Sequence, residues 1–149
     1  MTDIGLDGVY DDDNIFAKIL RNELPCHKVY EDEIVLAFMD VFPQAPGHVL
    51  VVPKIKARNL LDFPSEQLGE YMKRVQKVAK AIKKALEPEG ISMFQFSGAA
   101  GGQSVFHLHF HLVPRVEGAL LKGHGNIERA DDKELMRFAD AIANAIMDA

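Results

Sequence analysis

Apolar residues recur along this chain in two rhythms, and the switches between them mark its elements. Ile15, Phe16, Ile19 and Leu20 repeat at three- and four-residue steps and predict one face of a short helix. The acidic residues ahead of it, ending in Asp13, suit the exposed N–H groups and positive dipole end of that helix, and Asn22-Glu23-Leu24-Pro25 breaks it. Short strands are expected over 27–30 and 34–39, around a Glu31-Asp32-Glu33 turn, and His27 reads as a surface residue. A loop with two prolines, 42–47, leads to His48 and a third strand over 49–52. A short helix near 57–61 ends before Pro64. Ser65 then stands where a cap belongs, ahead of Leu68, Tyr71, Met72, Val75, Val78, Ala79, Ile82 and Leu86 on one side of a long helix. Lys73, Arg74, Lys77, Lys80, Lys83 and Lys84 fill its other positions as a solvated face. Glu87-Pro88-Glu89-Gly90 stops that helix. Strands are expected over 91–96 and 105–113, separated by a glycine-rich turn at 98–102. Residues 117–130 are irregular, and a last helix from Asp131 carries Leu135, Phe138, Ala139, Ile142 and Ile146 on one face.

Chemistry concentrates in the last strand. His107, His109 and His111 alternate with Leu108, Phe110 and Leu112, so an extended chain sends the imidazoles to one face and the apolar side chains to the core. One histidine on a strand is ordinarily a hydrogen-bonded structural residue. Three in a row repel one another if protonated and need partners for every ring nitrogen if neutral, which points to a ligand. That ligand is either a metal or an anion such as phosphate. The approach Gly98-Ala99-Ala100-Gly101-Gly102-Gln103-Ser104 favours the anion, because glycines let successive N–H groups converge and Ser104 adds a hydroxyl. A structural zinc takes four ligands, commonly with thiolates, and the single cysteine, Cys26, lies far away in the chain.

Composition narrows the field. The 149 residues, 48% hydrophobic and 26% charged, have the size and balance of one domain. A net charge of −5 with scattered Lys and Arg leaves no basic footprint for a nucleic-acid backbone, whereas a small nucleotide needs only a local site. One cysteine excludes an internal disulfide framework. No signal peptide and no apolar run of about eighteen residues is apparent, so the expectation is a cytoplasmic protein that does not engage a membrane. Residues 1–12, with Asp3, Asp7, Asp11 and Asp12, read as a mobile acidic leader, and 13–149 as a single domain.

His107-x-His109-x-His111 preceded by Gly102-Gln103-Ser104-Val105 resembles the histidine triad (HIT) family, in its Hint-like and bacterial branch. So do Asp13-Asn14-Ile15-Phe16-Ala17-Lys18-Ile19, Val29-Tyr30-Glu31-Asp32, and the run from Leu36 through Asp40 and His48 to Lys54. The resemblance implies an α+β HIT-like fold: an antiparallel sheet of about five strands, a long helix, and helices at each end. It implies a homodimer, for which the long helix and the strand at Ile91 are candidate contacts. The implied activity is hydrolysis or transfer at phosphorus–nitrogen or phosphoanhydride bonds of purine nucleotides, AMP- or GMP-like. This is nucleoside phosphoramidase-like chemistry through a nucleotidyl-histidine, releasing a nucleoside monophosphate.

His109 matches the family's nucleophile, with His107 and His48 holding or tuning it and His111 and Ser104 contacting phosphate and leaving group. Gln103 and Ser104 would give N–H donors where charge develops, with the Gln103 side chain near the scissile bond. Phe16, Ile19, Phe38 and Leu50 correspond to the base pocket, and Asp40 and Val41 to the ribose contacts. No cofactor or metal enters this scheme. A dinucleoside polyphosphate hydrolase, a non-catalytic nucleotide-binding regulatory protein and a His-ligated metal enzyme remain as alternatives.

Two departures stand out. Phe96 occupies a position where many relatives carry Asn, flanked by Gln95 and Ser97, which point to the opposite face. Some bacterial members bind a structural zinc through cysteines beside the first helix and a histidine after Pro-Lys. Asn14, Ala17 and Lys56 stand there instead, so no zinc is expected. His124, in Lys122-Gly123-His124-Gly125, reads as surface.

Overall fold

The structure, a computed structural model, describes residues 3–119 and 127–147. Strands β1 (Lys28–Glu31), β2 (Val35–Met39), β3 (Val49–Pro53), β4 (Gly90–Phe94) and β5 (Phe110–Arg115) form one sheet in the order β1-β2-β3-β5-β4. All its pairings are antiparallel. With helices α1 (Ile15–Leu20), α2 (Leu68–Leu86) and α3 (Asp132–Met147), this is the α+β arrangement expected from the sequence.

The sheet has two covered faces, which is why β2 and β3 read as unbroken apolar runs rather than alternating ones. Val35, Ala37, Met39, Val49, Val51, Leu108 and Leu112 pack under α2 and α3 against Tyr71, Val78, Ile82, Leu135 and Ile142. Tyr71 satisfies its buried hydroxyl by donating to the Val51 carbonyl at 2.7 Å. On the other face Leu36, Phe38, Leu50 and Val52 meet Phe16 and Ile19 of α1. The candidate base-pocket residues lie on this second face. Among the described residues no helix is long and apolar enough to cross a membrane.

Several element boundaries differ from the sequence pattern. Asn14, not Asp13, caps α1, its Oδ1 accepting from Ala17 N–H at 2.9 Å. Ser65 opens a 3-10 turn, Ser65–Gln67, and makes no side-chain cap. The helix expected near 57–61 is a 3-10 turn, Leu60–Asp62, capped by Asn59. The histidine strand begins only at Phe110, so His107 and His109 precede it. Beyond the Val51–Phe110 pair the ladder ends, because Leu108 N–H donates to Ala57 O at 2.8 Å and the Pro53 carbonyl is taken by the His107 ring. His27, read as surface, pairs its Nε2 with Asp132 at 3.0 Å.

Residues 3–12 have neither helix nor strand, yet they lie against the domain rather than apart from it. Ala99 N–H donates to Ile4 O at 2.8 Å, Arg58 Nη2 to Gly5 O at 2.8 Å, and Asn59 Nδ2 to Leu6 O at 3.0 Å. The Lys122–Gly125 stretch with His124 is outside the described residues.

Gly47 turns the chain into His48 with φ +91°, and a Cβ there would sit 2.4 Å from Leu86 Cδ1 and 3.2 Å from Pro114 Cγ. Gly47→Ala is expected to cost about 2 kcal/mol, from the left-handed backbone and the displaced Leu86. Urea unfolding reads it, and an unchanged midpoint would mean that the loop absorbs the methyl group.

Candidate active site

The site forms where α1, the turn after β2, the start of β3 and the approach to β5 converge. Alternation along β2 and β3 directs Leu36, Phe38, Leu50 and Val52 to one face, and the Phe16 ring stands edge-on to Phe38 (5.5 Å) and His109 (4.8 Å). Phe16, Ile19, Phe38 and Leu50 thus meet as expected. Leu36 and Val52 belong to the same wall, and their matching parity on the strands was the available signal for them. Asp40 sits two residues past Phe38, beside His48, with its Oδ2 3.6 Å from His48 Nε2. Val41, expected beside the ribose, packs instead against the main core. Neighbours on an extended chain face opposite ways.

All four histidines gather here, and their partners set their tautomers. His107 Nε2–H donates to Pro53 O at 2.8 Å, and its Nδ1 accepts from the Tyr10 hydroxyl. His109 Nδ1–H donates to the His107 carbonyl at 2.7 Å, so the unprotonated nitrogen is Nε2. Gln44 N–H donates to His48 Nδ1 at 3.0 Å, which puts the His48 proton on Nε2, where it is donated to His111 Nδ1 at 3.0 Å. His111 in turn carries its proton on Nε2. The His109 and His111 ring centroids are 4.8 Å apart.

Burial keeps His48, His107 and His109 neutral. His48 and His107 are 1% and 0% exposed. Desolvation pulls His48 down to about 4, helped by the nearby His109, and pulls His109 down to about 4 against its bond to the His107 carbonyl. His107 is lowered for the same reason. Asp40 moves the other way: burial raises it to about 6, opposed by the Phe42 N–H.

These shifts make stability pH-dependent. His48 and His109 take up protons near 6.5 when unfolded but only near 4 when folded, so the unfolded chain binds more protons between those values and stability falls as pH drops through that window. Asp40 opposes this, since its folded value near 6 against 3.8 favours the folded state below pH 6. Three depressed histidines outweigh one raised carboxyl. Unfolding free energy should drop by on the order of a few kcal/mol between about pH 7 and about pH 4.5. Equal urea midpoints at the two values would refute the buried neutral state.

The glycine loop differs from the expected anion cradle. The N–H groups of Gly101, Gly102 and Gln103 bond to carbonyls within the loop, at Gly98, Ala99 and Gly98, each at 3.0 Å. The Gln103 side chain is buried, its Oε1 accepting from Gly98 N–H at 2.8 Å and its Nε2 donating to Arg58 O at 2.6 Å. Gln103 therefore braces the loop and offers neither its side chain nor its N–H to a phosphate. A 3-10 turn needs those hydrogen bonds to close. Ser104 is exposed at the end of the loop.

Phe96 stacks on Phe94 (5.1 Å, 28°), and Phe94 stacks on His111 (4.6 Å, 18°). Gln95 and Ser97 hydrogen-bond each other at 3.0 Å, so neither replaces the missing Asn, and an aromatic wall stands there instead. Asp40, His48 and His111 place one ligand atom each within 4.8 Å of one another and could gather round a cation. His48 would have to bind through Nε2, which Gln44 N–H keeps protonated by occupying Nδ1. The set therefore fits a hydrogen-bond relay better than a metal. At the positions of the family's zinc ligands, Asn14 and the Ala17 N–H form the α1 cap, and Lys56 pairs with Asp12 at 2.7 Å. Tyr10, the Gln44 N–H and the Pro53 carbonyl escaped the sequence reading, two of them because backbone groups carry no residue-type signal.

Sheet order, site face and histidine constellation together define a HIT-type protein. The HIT domain family matches residues 21–118, and the chain belongs to that family. Protein hit of Bacillus subtilis is 39% identical over 89% of this chain and 93% of its own. Adenosine 5'-monophosphoramidase hnt1 of Schizosaccharomyces pombe is 38% identical over 68% of this chain and 73% of its own. Adenylylsulfatase HINT3 of Arabidopsis thaliana is 33% identical over 87% of this chain and 68% of its own. Among solved structures, a Hit-like protein involved in cell-cycle regulation from Bartonella henselae is 50% identical, with TM-score 0.87, covering 93% of this chain and 99% of its own.

Proposed function

We propose that this protein is a nucleotide hydrolase in which His109 Nε2 attacks the phosphorus of a purine nucleotide. The His109 Nδ1–H bond to the His107 carbonyl, at 2.7 Å, carries this reading. It leaves the lone pair on Nε2, and it stabilises the ring as positive charge develops on forming the nitrogen–phosphorus bond. A ring whose pKa lies near 4 is already unprotonated at neutral pH. The relatives named for a monophosphoramidase and an adenylylsulfatase support nucleotide chemistry of this kind.

The base lies against Phe16, Ile19, Phe38 and Leu50, and Asp40 accepts from ribose hydroxyls. His111, protonated on Nε2 by the His48 relay, donates to a phosphoryl oxygen and to the departing atom, with Ser104 beside it. As the His109 nitrogen–phosphorus bond forms, the phosphorus–nitrogen bond breaks and the amine leaves with the His111 Nε2 proton; water then attacks the nucleotidyl-His109, gives a proton back to His111 and releases the nucleoside monophosphate. A nucleoside phosphoramidate is the substrate class we favour. The protein acts as a homodimer, for which β4, an edge strand with exposed Met93, is the candidate seam together with α2.

The test compares turnover of adenosine 5′-phosphoramidate, adenosine 5′-phosphosulfate and a diadenosine polyphosphate in chelator, with acid-quench trapping. Chelator-resistant AMP release and a trapped nucleotidyl-enzyme are expected. Tight AMP binding without turnover of any substrate overturns the enzyme reading, and preference for the dinucleotide overturns the phosphoramidate assignment.

A further inference from the structure

We propose that Tyr10 is a positioning residue of this site, its hydroxyl setting His107 so that the His107 carbonyl holds the nucleophile His109. The inference rests on the hydrolase reading above. His107 is wholly buried, and its Nε2–H is committed to the Pro53 carbonyl at 2.8 Å. Nδ1 is then an acceptor in a buried place, and the donor it meets is Tyr10 Oη–H. The tyrosine ring also stands edge-on to the imidazole, 5.5 Å between centroids at 72°. His107 is thus pinned from two sides, by the end of β3 and by the N-terminal segment.

That matters because of what the same residue does with its backbone. Its carbonyl accepts the His109 Nδ1–H. No strand ladder holds residues 105–109, since β5 starts at Phe110. The ring bonds of His107 and the Leu108 N–H bond to Ala57 therefore do the work that a strand partner would do elsewhere. Without the Tyr10 bond His107 keeps only its Pro53 anchor, and the backbone that carries the His109 acceptor is held less firmly.

Residues 3–12 are built to keep Tyr10 in place. Arg58 Nη2 and Asn59 Nδ2 hold the carbonyls of Gly5 and Leu6, and Lys56 pairs with Asp12 at 2.7 Å. The Arg58 carbonyl in turn accepts from Gln103, so the segment is docked on the residue that braces the glycine loop. Tyr10, Asn14 and Ser104 line one cleft of about 810 Å³, so this segment walls a space that reaches Ser104.

The experiment uses the full chain with Tyr10→Phe, which keeps the ring and removes the hydroxyl, and Lys56→Gln, which loosens the Asp12 pair and keeps the hydroxyl. Rapid-quench formation of the nucleotidyl-enzyme from adenosine 5′-phosphoramidate, AMP affinity, thermal midpoint and the nitrogen-15 shifts of the His107 ring are read for each. Tyr10→Phe is expected to slow nucleotidyl-enzyme formation about tenfold, to change AMP affinity by less than about twofold, and to move the His107 Nδ1 resonance. Lys56→Gln should slow the step less than Tyr10→Phe does, since Arg58 and Asn59 still hold the segment, and a larger loss in Lys56→Gln than in Tyr10→Phe overturns the proposal. An unchanged rate or an unmoved His107 resonance in Tyr10→Phe overturns the proposal, as does a parallel loss of rate and AMP affinity, which marks general disruption of the pocket. An inactive wild type overturns the hydrolase reading and this role with it. An active wild type with an unaffected Tyr10→Phe overturns the Tyr10 role alone.

Discussion

His109→Ala is expected to abolish the trapped nucleotidyl-enzyme and to lower AMP release by at least about 10³-fold, because no other group can take over the covalent step. His111 has its proton on Nε2 and its lone pair on Nδ1 directed at His48, and His107 has both nitrogens engaged, so neither neighbour presents a nucleophile. AMP binding should survive, since the apolar wall of Phe16, Ile19, Phe38 and Leu50 is untouched apart from the lost edge contact to Phe16. The prediction is therefore a split: rate lost, affinity kept. It is measured by acid-quench trapping and by AMP titration of the same preparation. Residual turnover within about tenfold of wild type would assign the chemistry to another residue or to direct attack by water.

Leu108→Ala is expected to cost about 2–5 kcal/mol in urea unfolding and to lower Tm by roughly 10 °C. Leu108 is 1% exposed and lies in the core beneath α2 and α3, between His107 and His109. Its truncation removes apolar contact where the interior is close-packed and leaves a cavity under the two residues whose geometry the reaction needs. The same variant should slow catalysis more than it weakens AMP binding, since Leu108 touches the histidine segment and not the base wall. A loss below about 1 kcal/mol would mean that the neighbouring side chains collapse into the space.

Much of this site was legible in the chain. The alternation of His107, His109 and His111 with Leu108, Phe110 and Leu112 placed imidazoles on one side and core on the other, and this division holds even where the strand does not. The reason is that Leu108 is drawn into the core by its own burial, whatever the backbone hydrogen bonds do. Phe38 and Leu50 came from the family resemblance, and their shared parity on β2 and β3 sets them on one face. Boundaries fared less well: the extended pattern over 105–113 could not show that the β3–β5 ladder stops at the Val51–Phe110 pair, where the Pro53 carbonyl accepts from the His107 ring instead.

The placements of Gln103 and Val41 differ from the expectation for a related reason. Residue type says what a side chain can bond to, not which of several partners lies nearer. Gln103 finds Gly98 and Arg58 before any phosphate, at 2.8 and 2.6 Å. Phe96 likewise reads only as an absent asparagine until its ring is seen against Phe94.

The order of apolar and polar residues placed the helices and strands and set the three histidines in alternation with core residues, because side-chain burial repeats with backbone geometry, and the family resemblance carried the α+β fold. Only the tertiary structure decided which nitrogen of each ring carries the proton, that Asp40 is raised while His48 and His109 are lowered, and that residues 3–12 bring Tyr10 to His107. Those properties belong to distances between groups up to 97 positions apart, such as Tyr10 and His107, and to the low dielectric around them, neither of which exists until the chain has folded.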